Sequence, residues 1–180
     1  MQKDIWHIQQ DGGQVRRDVE RAALAATRHV LALEKRLLKQ WDEILFDEQY
    51  VPAVAQEGQL YAQHDAFVQW FEHLVDALEL VDERSGEIRE QPISAWLLEE
   101  TLSAMSRIDH PRIQAWVKTL RRHQTQLLTS LDWLNTALQP WRQQLAQKMD
   151  ARTQELFMRA GARVWRLRQA LVNGQRHRRA

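Results

Sequence analysis

Apolar residues recur at helical spacing along most of this 180-residue chain. From Gln14 onward they fall mainly three and four positions apart, the period that gathers side chains on one helical face. The first predicted helix runs from about Gln14 to Phe46 and would be roughly 45 Å long. Its apolar stripe is Val15, Val19, Ala22, Ala23, Ala26, Val30, Leu33, Leu37, Trp41 and Leu45.

The same period predicts further helices after a break at residues 47–52. They run from about Pro52 to Val81, from near Pro92 to just before Pro111, from Pro111 to about Leu138, and from Trp141 to about Val172. Residues 82–87 are predicted to form a turn, and Pro140 to form a corner between two helices. A helix interruption is predicted at Met149-Asp150. Asn173-Gly174 is typical of a helix end. In the last helix, Leu156, Val164, Leu167 and Leu171 mark an apolar face. The pattern predicts an all-α, elongated bundle of about five to six helices.

The N-terminal stretch departs from this pattern. Ile5, Trp6 and Ile8 form a short apolar run, and a glycine pair follows at Gly12-Gly13. Ile and Trp favour strands, and paired glycines break regular structure. We therefore expect at most a strand remnant at residues 3–8. On this interpretation, residues 1–13 are the end of a core strand and a junction, and residues 14–180 are a single all-helical domain.

Composition limits the classes of protein to be considered. Charged residues make up 27%, hydrophobic residues 44%, and there is no cysteine. A chain of this size can build one real core, and its lack of thiols excludes disulfides and thiolate chemistry. The sequence has no apolar run of 18 residues and no signal-peptide pattern at its N-terminus. A cytoplasmic location is expected.

Charge is distributed unevenly along the chain. Residues 34–109 carry seventeen acids and six bases, a net of −11, whereas residues 110–180 carry fourteen bases and three acids, a net of +11. Past Glu155 the only charged residues are seven arginines: Arg159, Arg163, Arg166, Arg168, Arg176, Arg178 and Arg179. Such asymmetry indicates a polyanionic or acidic partner. Alternatively, the two halves neutralise each other within one bundle.

Residues capable of chemistry form no recognisable catalytic or metal motif. The sequence has no phosphate-binding glycine loop, no zinc-binding His-Glu-x-x-His and no nucleophile elbow. Its seven histidines are scattered, so no metal ligands are predicted. Seven tryptophans are interpreted as residues that anchor core packing, and the role of Trp141 is left open. The seven are Trp6, Trp41, Trp70, Trp96, Trp116, Trp133 and Trp165.

A family resemblance adds to this reading. Asp4-Ile5-Trp6-His7 has the form Asp-x-x-His, and Val15-Arg16-Arg17-Asp18-Val19-Glu20-Arg21 follows it. Both stretches resemble the opening of the helical insertion in bacterial insertion-sequence transposases of the DDE type, which have an RNase H-like core. Residues 81–89, 120–124, 131–134 and 165–174 resemble the same segment, so the resemblance covers nearly the whole chain.

The resemblance implies a role beside catalysis. Such enzymes cut and join DNA with two metal ions held by three carboxylates. The first two carboxylates would precede Met1 and the third would follow Ala180, so the chain would be a fragment without catalytic residues or cofactor, whereas the full-length enzyme would use Mg²⁺. Asp4 and His7 would brace the active site without binding metal. Alternatively, His7 is a strand-end histidine whose ring binds a nearby backbone group.

Two functional hypotheses follow. In the first, the chain is a transposase segment with a structural or DNA-backbone-contacting role, and its partners are DNA, the remaining transposase core or a second copy. The arginines that could contact DNA are Arg16, Arg17, Arg21, Arg159, Arg163 and Arg166. Solvated arginines are the alternative for the first group. In the second hypothesis, the chain is a free-standing cytoplasmic helical adaptor that binds other proteins. Neither hypothesis involves a membrane.

Overall fold

The computed structural model describes residues 5–82 and 85–177, and most of these residues are helical. The all-α prediction is confirmed. Over these residues the chain forms α1 (Ile5–Lys39), the short α2 (Glu43–Leu45), a π-helical turn (Phe46–Tyr50), α3 (Val51–Ala77), α4 (Gln91–Ser106), α5 (Pro111–Lys148) and α6 (Ala151–His177). The described part contains no strand, and its only β-type pairing is an isolated antiparallel bridge between Val81 and Ile88.

The expected strand end is wrong over residues 5–8, which are the first residues of α1. Gly12 and Gly13 do not interrupt this helix. Gly12 is buried, and a Cβ added to it would lie 2.7 Å from the Trp116 ring and would also collide with the Phe71 ring. This glycine therefore permits close packing of aromatic rings on α1. Tertiary packing outweighs the low helix propensity of glycine.

The first helix also ends earlier than expected. It stops at Lys39, and the break lies at residues 40–42 instead of 47–52. Asp42 then caps α2, since its Oδ1 accepts a hydrogen bond of 3.0 Å from the Leu45 backbone N–H. Pro52 lies in the first turn of α3, as predicted, where its missing N–H needs no helical partner.

Two other predicted helix ends are wrong, and one is confirmed. Pro140 is exposed and lies inside α5, and Asn173-Gly174 lie inside α6. The predicted interruption at Met149-Asp150 is present. There Asp150 caps α6, because its carboxylate accepts hydrogen bonds from the Thr153 N–H at 3.0 Å and from the Thr153 hydroxyl at 2.7 Å.

The chain divides into two compact units. Unit 1 spans residues 1–10, 73–100 and 122–180, and unit 2 spans residues 11–72 and 101–121. Fully buried side chains form a core in each: Leu74, Leu98 and Leu127 in unit 1, and Val19, Phe67, Leu102, Ile113 and Leu120 in unit 2. The single-domain prediction stays a prediction.

Candidate functional site

Of the two motif residues Asp4 and His7, the structure describes only His7. Asp4 lies outside the described residues. His7 lies in the first turn of α1 and is partly buried. Its surroundings are therefore those of a helix and not of a strand end. The bracing role that the resemblance implies stays a prediction.

The N-terminal arginines surround one carboxylate in unit 2. Asp18 accepts hydrogen bonds from Arg112 at 2.6 and 3.2 Å, from Gln14 at 3.0 Å and from Arg21 at 3.5 Å. Arg17 joins the group through a 2.6 Å hydrogen bond to the Gln14 side-chain oxygen. These five residues are here called the Asp18 cluster. Sequence reasoning missed Arg112, because a pairing across 94 positions leaves no local signal.

Charge does not cancel within the Asp18 cluster. One carboxylate accepts hydrogen bonds from the guanidinium groups of Arg21 and Arg112, which leaves a net charge of +1 for these three side chains. The hydrogen bond from Arg112 is the largest of the effects that lower the pKa of Asp18, so this carboxylate stays ionised. The Arg21 and Arg112 side chains remain 69% and 61% exposed. The cluster thus presents positive charge to solvent.

Two other arginines on α1 lie beside this group in sequence. Arg16 is exposed. The Nε of Arg28 donates a 3.2 Å hydrogen bond to the Leu24 carbonyl oxygen within its own helix. Of the three DNA-contact candidates on α1, Arg17 and Arg21 therefore make polar contacts to neighbouring side chains, while Arg16 extends into solvent.

The second group of candidate arginines lies on α6, in unit 1. Arg159 pairs with Glu155 one turn earlier, at 3.1 Å, and Arg163 is exposed. Arg166 also lies in α6, three residues further on. At 100° per residue Arg159 and Arg163 share one side of the helix, and the Arg166 side chain is outside the part that the structure describes. The two candidate groups thus belong to different units.

The apolar face predicted for α6 is not the face that packs. Met158 is the buried side chain, and Gln154 and Ala162, one turn to either side, are partly buried. Leu156 and Val164, which sequence reasoning placed on the apolar face, are 56% and 65% exposed. The described part of α6 therefore presents apolar and basic sides to solvent.

A buried arginine organises the turn that precedes α4. The Arg89 side chain is only 4% exposed, and its Nη2 lies 3.3 Å from Asp76 Oδ2 and 3.2 Å from Asp82 Oδ2. Its Nη1 donates to the Asp76 carbonyl oxygen. Asp82 also accepts a 2.9 Å hydrogen bond from the Ser85 N–H, which closes the predicted turn. Sequence reasoning missed this ionic group, because the sequence does not show which acids Arg89 will pair with.

This turn packs against α6. Gly86 has a φ of +73°, and a Cβ added there would lie 2.8 Å from the Glu155 carbonyl oxygen and 2.9 Å from Arg159 Cγ. A chain segment rich in acids thus meets the first half of the basic helix. Arg89 pairs here with Asp82, and Arg159 pairs with Glu155 of its own helix. Neutralisation between the acidic and basic stretches stays a prediction.

Several tryptophans interpreted as packing anchors are exposed instead. Trp41, Trp96 and Trp133 are 67%, 63% and 68% exposed, so that interpretation is wrong for them. It is correct for Trp116, which is 6% exposed and lies 5.7 Å from Phe67 and 5.8 Å from Phe71, measured between ring centroids. Trp141 is 43% exposed. Helical spacing alone does not show which side of a helix packs against another part of the protein.

Hydroxyl–carboxylate contacts link α1 to α3 in unit 2. The Thr27 hydroxyl lies 2.7 Å from Glu57 Oε1 and 3.1 Å from the Tyr61 hydroxyl. The Tyr50 hydroxyl donates to Glu34 Oε1 at 2.9 Å, and this bond raises the pKa of Tyr50 because only the neutral phenol can donate. These contacts hold the two helices together without forming a reactive set.

The described residues contain neither a cluster of metal ligands nor a helix suited to a membrane. Within residues 5–82 and 85–177, no three His, Asp or Glu side chains lie close enough together to hold a metal ion. Over the same part of the chain, no helix has both the length and the apolar character needed to cross a bilayer.

No protein-family model, no curated protein and no solved structure matches the chain.

Proposed function

We propose that this chain is the helical insertion segment of a DDE-type transposase and that it contacts DNA through phosphates, with no catalytic role in isolation. The sequence resemblance, which covers nearly the whole chain, supports the assignment, and the all-α fold agrees with a helical insertion. A cytoplasmic location, and a remaining transposase core or a second copy as partner, belong to the same proposal.

The continuity of α6 carries the DNA-contact part of this proposal. The helix runs from Ala151 to His177 without a break and carries six arginines against one acid, a net charge of +5. Its 27 residues span about 40 Å. Duplex DNA presents a negative charge about every 1.7 Å, and contacts to phosphates confer affinity without sequence preference. The Asp18 cluster offers a second positive surface of the same kind.

Titration of labelled duplex DNA at a series of salt concentrations tests this role. The triple replacement of Arg159, Arg163 and Arg166 by Gln should make the log–log dependence of affinity on salt shallower, by up to roughly 0.9 per lost contact. A matched control replaces Arg28, Arg36 and Arg107 by Gln, which removes the same charge outside α6. The control should leave the slope close to that of the unchanged chain.

The neutralisation alternative gives the opposite result. If the arginines of α6 only offset nearby acids, the α6 triple replacement lowers the melting temperature and leaves DNA affinity unchanged. That result would rule out the DNA contact.

A free-standing interaction protein is the second candidate function. Exposed apolar side chains favour it, because Leu38, Trp41 and Ile44 are 87%, 67% and 68% exposed near the end of α1. The DNA flanking the coding sequence distinguishes the candidates. Upstream strands with two acids and a downstream helix with a glutamate would support the transposase segment, whereas intact unrelated genes on both sides would support the interaction protein.

A further inference from the structure

The described part of α6 has an apolar side that is largely exposed to solvent, although the Phe157 ring on it lies 5.7 Å from the Trp141 ring, measured between centroids. Leu156, Phe157 and Val164 are 56%, 44% and 65% exposed. Ala160 and Gly161, which lie between them on the same side at 100° per residue, are exposed too. A Cβ added to Gly161 would meet nothing within 4 Å. These five residues are here called the α6 stripe.

Positive charge borders the α6 stripe. Arg152 and Arg163 are exposed and lie on the adjoining side of the helix. Arg159 lies between them in helical register, is one-third exposed and pairs with Glu155 at 3.1 Å. Residues 151–164 therefore carry three arginines and one acid, a net charge of +2. A binding partner for the stripe therefore needs an apolar centre with acids around it, as interfaces commonly pair an apolar core with a polar rim.

Unit 2 carries a surface of this description at residues 38–48, here called the acidic corner. Its apolar members are Leu38, Trp41 and Ile44, all more than 60% exposed. Its charged members are four exposed acids and one exposed lysine, a net of −3: Asp42, Glu43, Asp47, Glu48 and Lys39. Asp42 and Glu43 lie between Trp41 and Ile44 in sequence, and Asp47 and Glu48 follow, so acids flank the apolar residues along the chain.

We propose that the acidic corner of one copy binds the α6 stripe of a second copy. Charge complementarity selects this occupant, since a stripe flanked by arginines repels a second identical stripe, and a corner flanked by acids repels a second corner. The contact is head-to-tail, so each bound pair still presents one free corner and one free stripe, and association continues past the dimer. The proposal does not rest on the transposase assignment.

The small number of side chains in this contact limits the affinity between the two copies. Five residues on one side and three apolar residues on the other form a contact below the size of a standard stable interface. Association is therefore concentration-dependent, with a dissociation constant on the order of micromolar or weaker. Salt weakens it, because the flanking charges are exposed and screened.

Two substitutions at exposed positions test the contact from either side. Ile44→Lys places a positive charge among the apolar residues of the acidic corner and changes its net charge from −3 to −2, and Val164→Glu places an acid within the α6 stripe. Ile93→Lys, at a position 48% exposed in α4, is the matched control for the lysine. Circular dichroism verifies that each variant keeps its helix content, and sedimentation equilibrium over a range of protein concentrations gives the mass.

The expected results are distinct for each sample. The unchanged chain and Ile93→Lys gain mass with concentration, whereas Ile44→Lys and Val164→Glu each stay at the monomer mass of 21.3 kDa. An equimolar mixture of the two variants forms a dimer and nothing larger, because one keeps its stripe and the other keeps its corner. A mixture that stays monomeric would overturn the head-to-tail contact. So would an unchanged chain that is monomeric at every concentration, or an Ile44→Lys variant that associates normally.

Discussion

Arg112 and Asp18 join α5 to α1 through two hydrogen bonds to the same carboxylate oxygen. Nη2 of Arg112 lies 2.6 Å from Asp18 Oδ2, and Nε lies 3.2 Å from it. Bonds between a guanidinium and a carboxylate are stronger than neutral ones. The Asp18 side chain is 22% exposed, so water only partly competes with them. This pair is the centre of the Asp18 cluster.

The pair predicts how stability depends on pH. The folded-state pKa of Asp18 is lowered, mainly by the hydrogen bond from Arg112. The stabilisation is therefore present above the unfolded-state pKa of about 3.9 and is lost as pH falls through the lower folded-state value. Asp18→Asn should melt at a lower temperature than the unchanged chain at pH 7, and this difference should shrink below about pH 4.

A weaker ion pair of the same carboxylate provides the control. Arg21 lies 3.5 Å from Asp18 and is 69% exposed, so Arg21→Gln should change the melting temperature less than Asp18→Asn does. A melting difference for Asp18→Asn that stays constant from pH 7 to pH 3 would contradict the linkage.

The buried Arg89 predicts a larger loss of stability. Replacing it by Met removes hydrogen bonds to Asp76 and Asp82, and bonds of this charged kind contribute roughly 1.5–3 kcal/mol. Because both aspartates keep access to water, the expected decrease in unfolding free energy is about 2 kcal/mol. Chemical denaturation measures it. Arg89→Lys should recover only part, since an ammonium group cannot span both carboxylates; equal stability of all three proteins would refute the role.

Much of the fold follows from the apolar period. Val15, Val19 and Ala23, spaced four apart, are buried on α1 as the stripe predicts. The predictions are wrong where a tertiary contact outweighs a local sequence preference. Gly12 was expected to break regular structure, but it lies within α1 because its missing side chain leaves room for the Trp116 ring. Pro140 shows another limit, because a proline marks either a corner or a helix interior and sequence alone does not choose.

The candidate site was harder to predict than the fold. The arginines of α1 and α6 could be found from charge alone, but their partners could not. Arg112 reaches Asp18 across 94 positions, and Arg89 becomes buried only because the turn folds back beside α3. Val164 was correctly placed among apolar residues of α6 but is exposed, since helical spacing predicts a face and not what packs against it.

The proposed function predicts the absence of catalysis. Because the resemblance places the catalytic carboxylates outside residues 1–180, the purified chain should neither nick nor join DNA with Mg²⁺ or Mn²⁺. Gel analysis of supercoiled plasmid and of labelled duplex measures both reactions. Metal-dependent cleavage that disappears when an acid of this chain is replaced would contradict the proposal.

Two glycines within helices predict opposite effects of the same substitution. Gly12→Ala places a methyl group 2.7 Å from the Trp116 ring, and overpacking of this kind typically costs about 1–3 kcal/mol. The higher helix propensity of alanine returns up to about 1 kcal/mol, so the melting temperature should fall. Gly58→Ala is the matched control, because its Cβ would meet nothing within 4 Å. There the propensity gain acts alone, and the melting temperature should rise by about 2–4 °C. Thermal unfolding of both variants measures the contrast; a Gly12→Ala variant as stable as Gly58→Ala would mean that the close approach of Trp116 to α1 is absent.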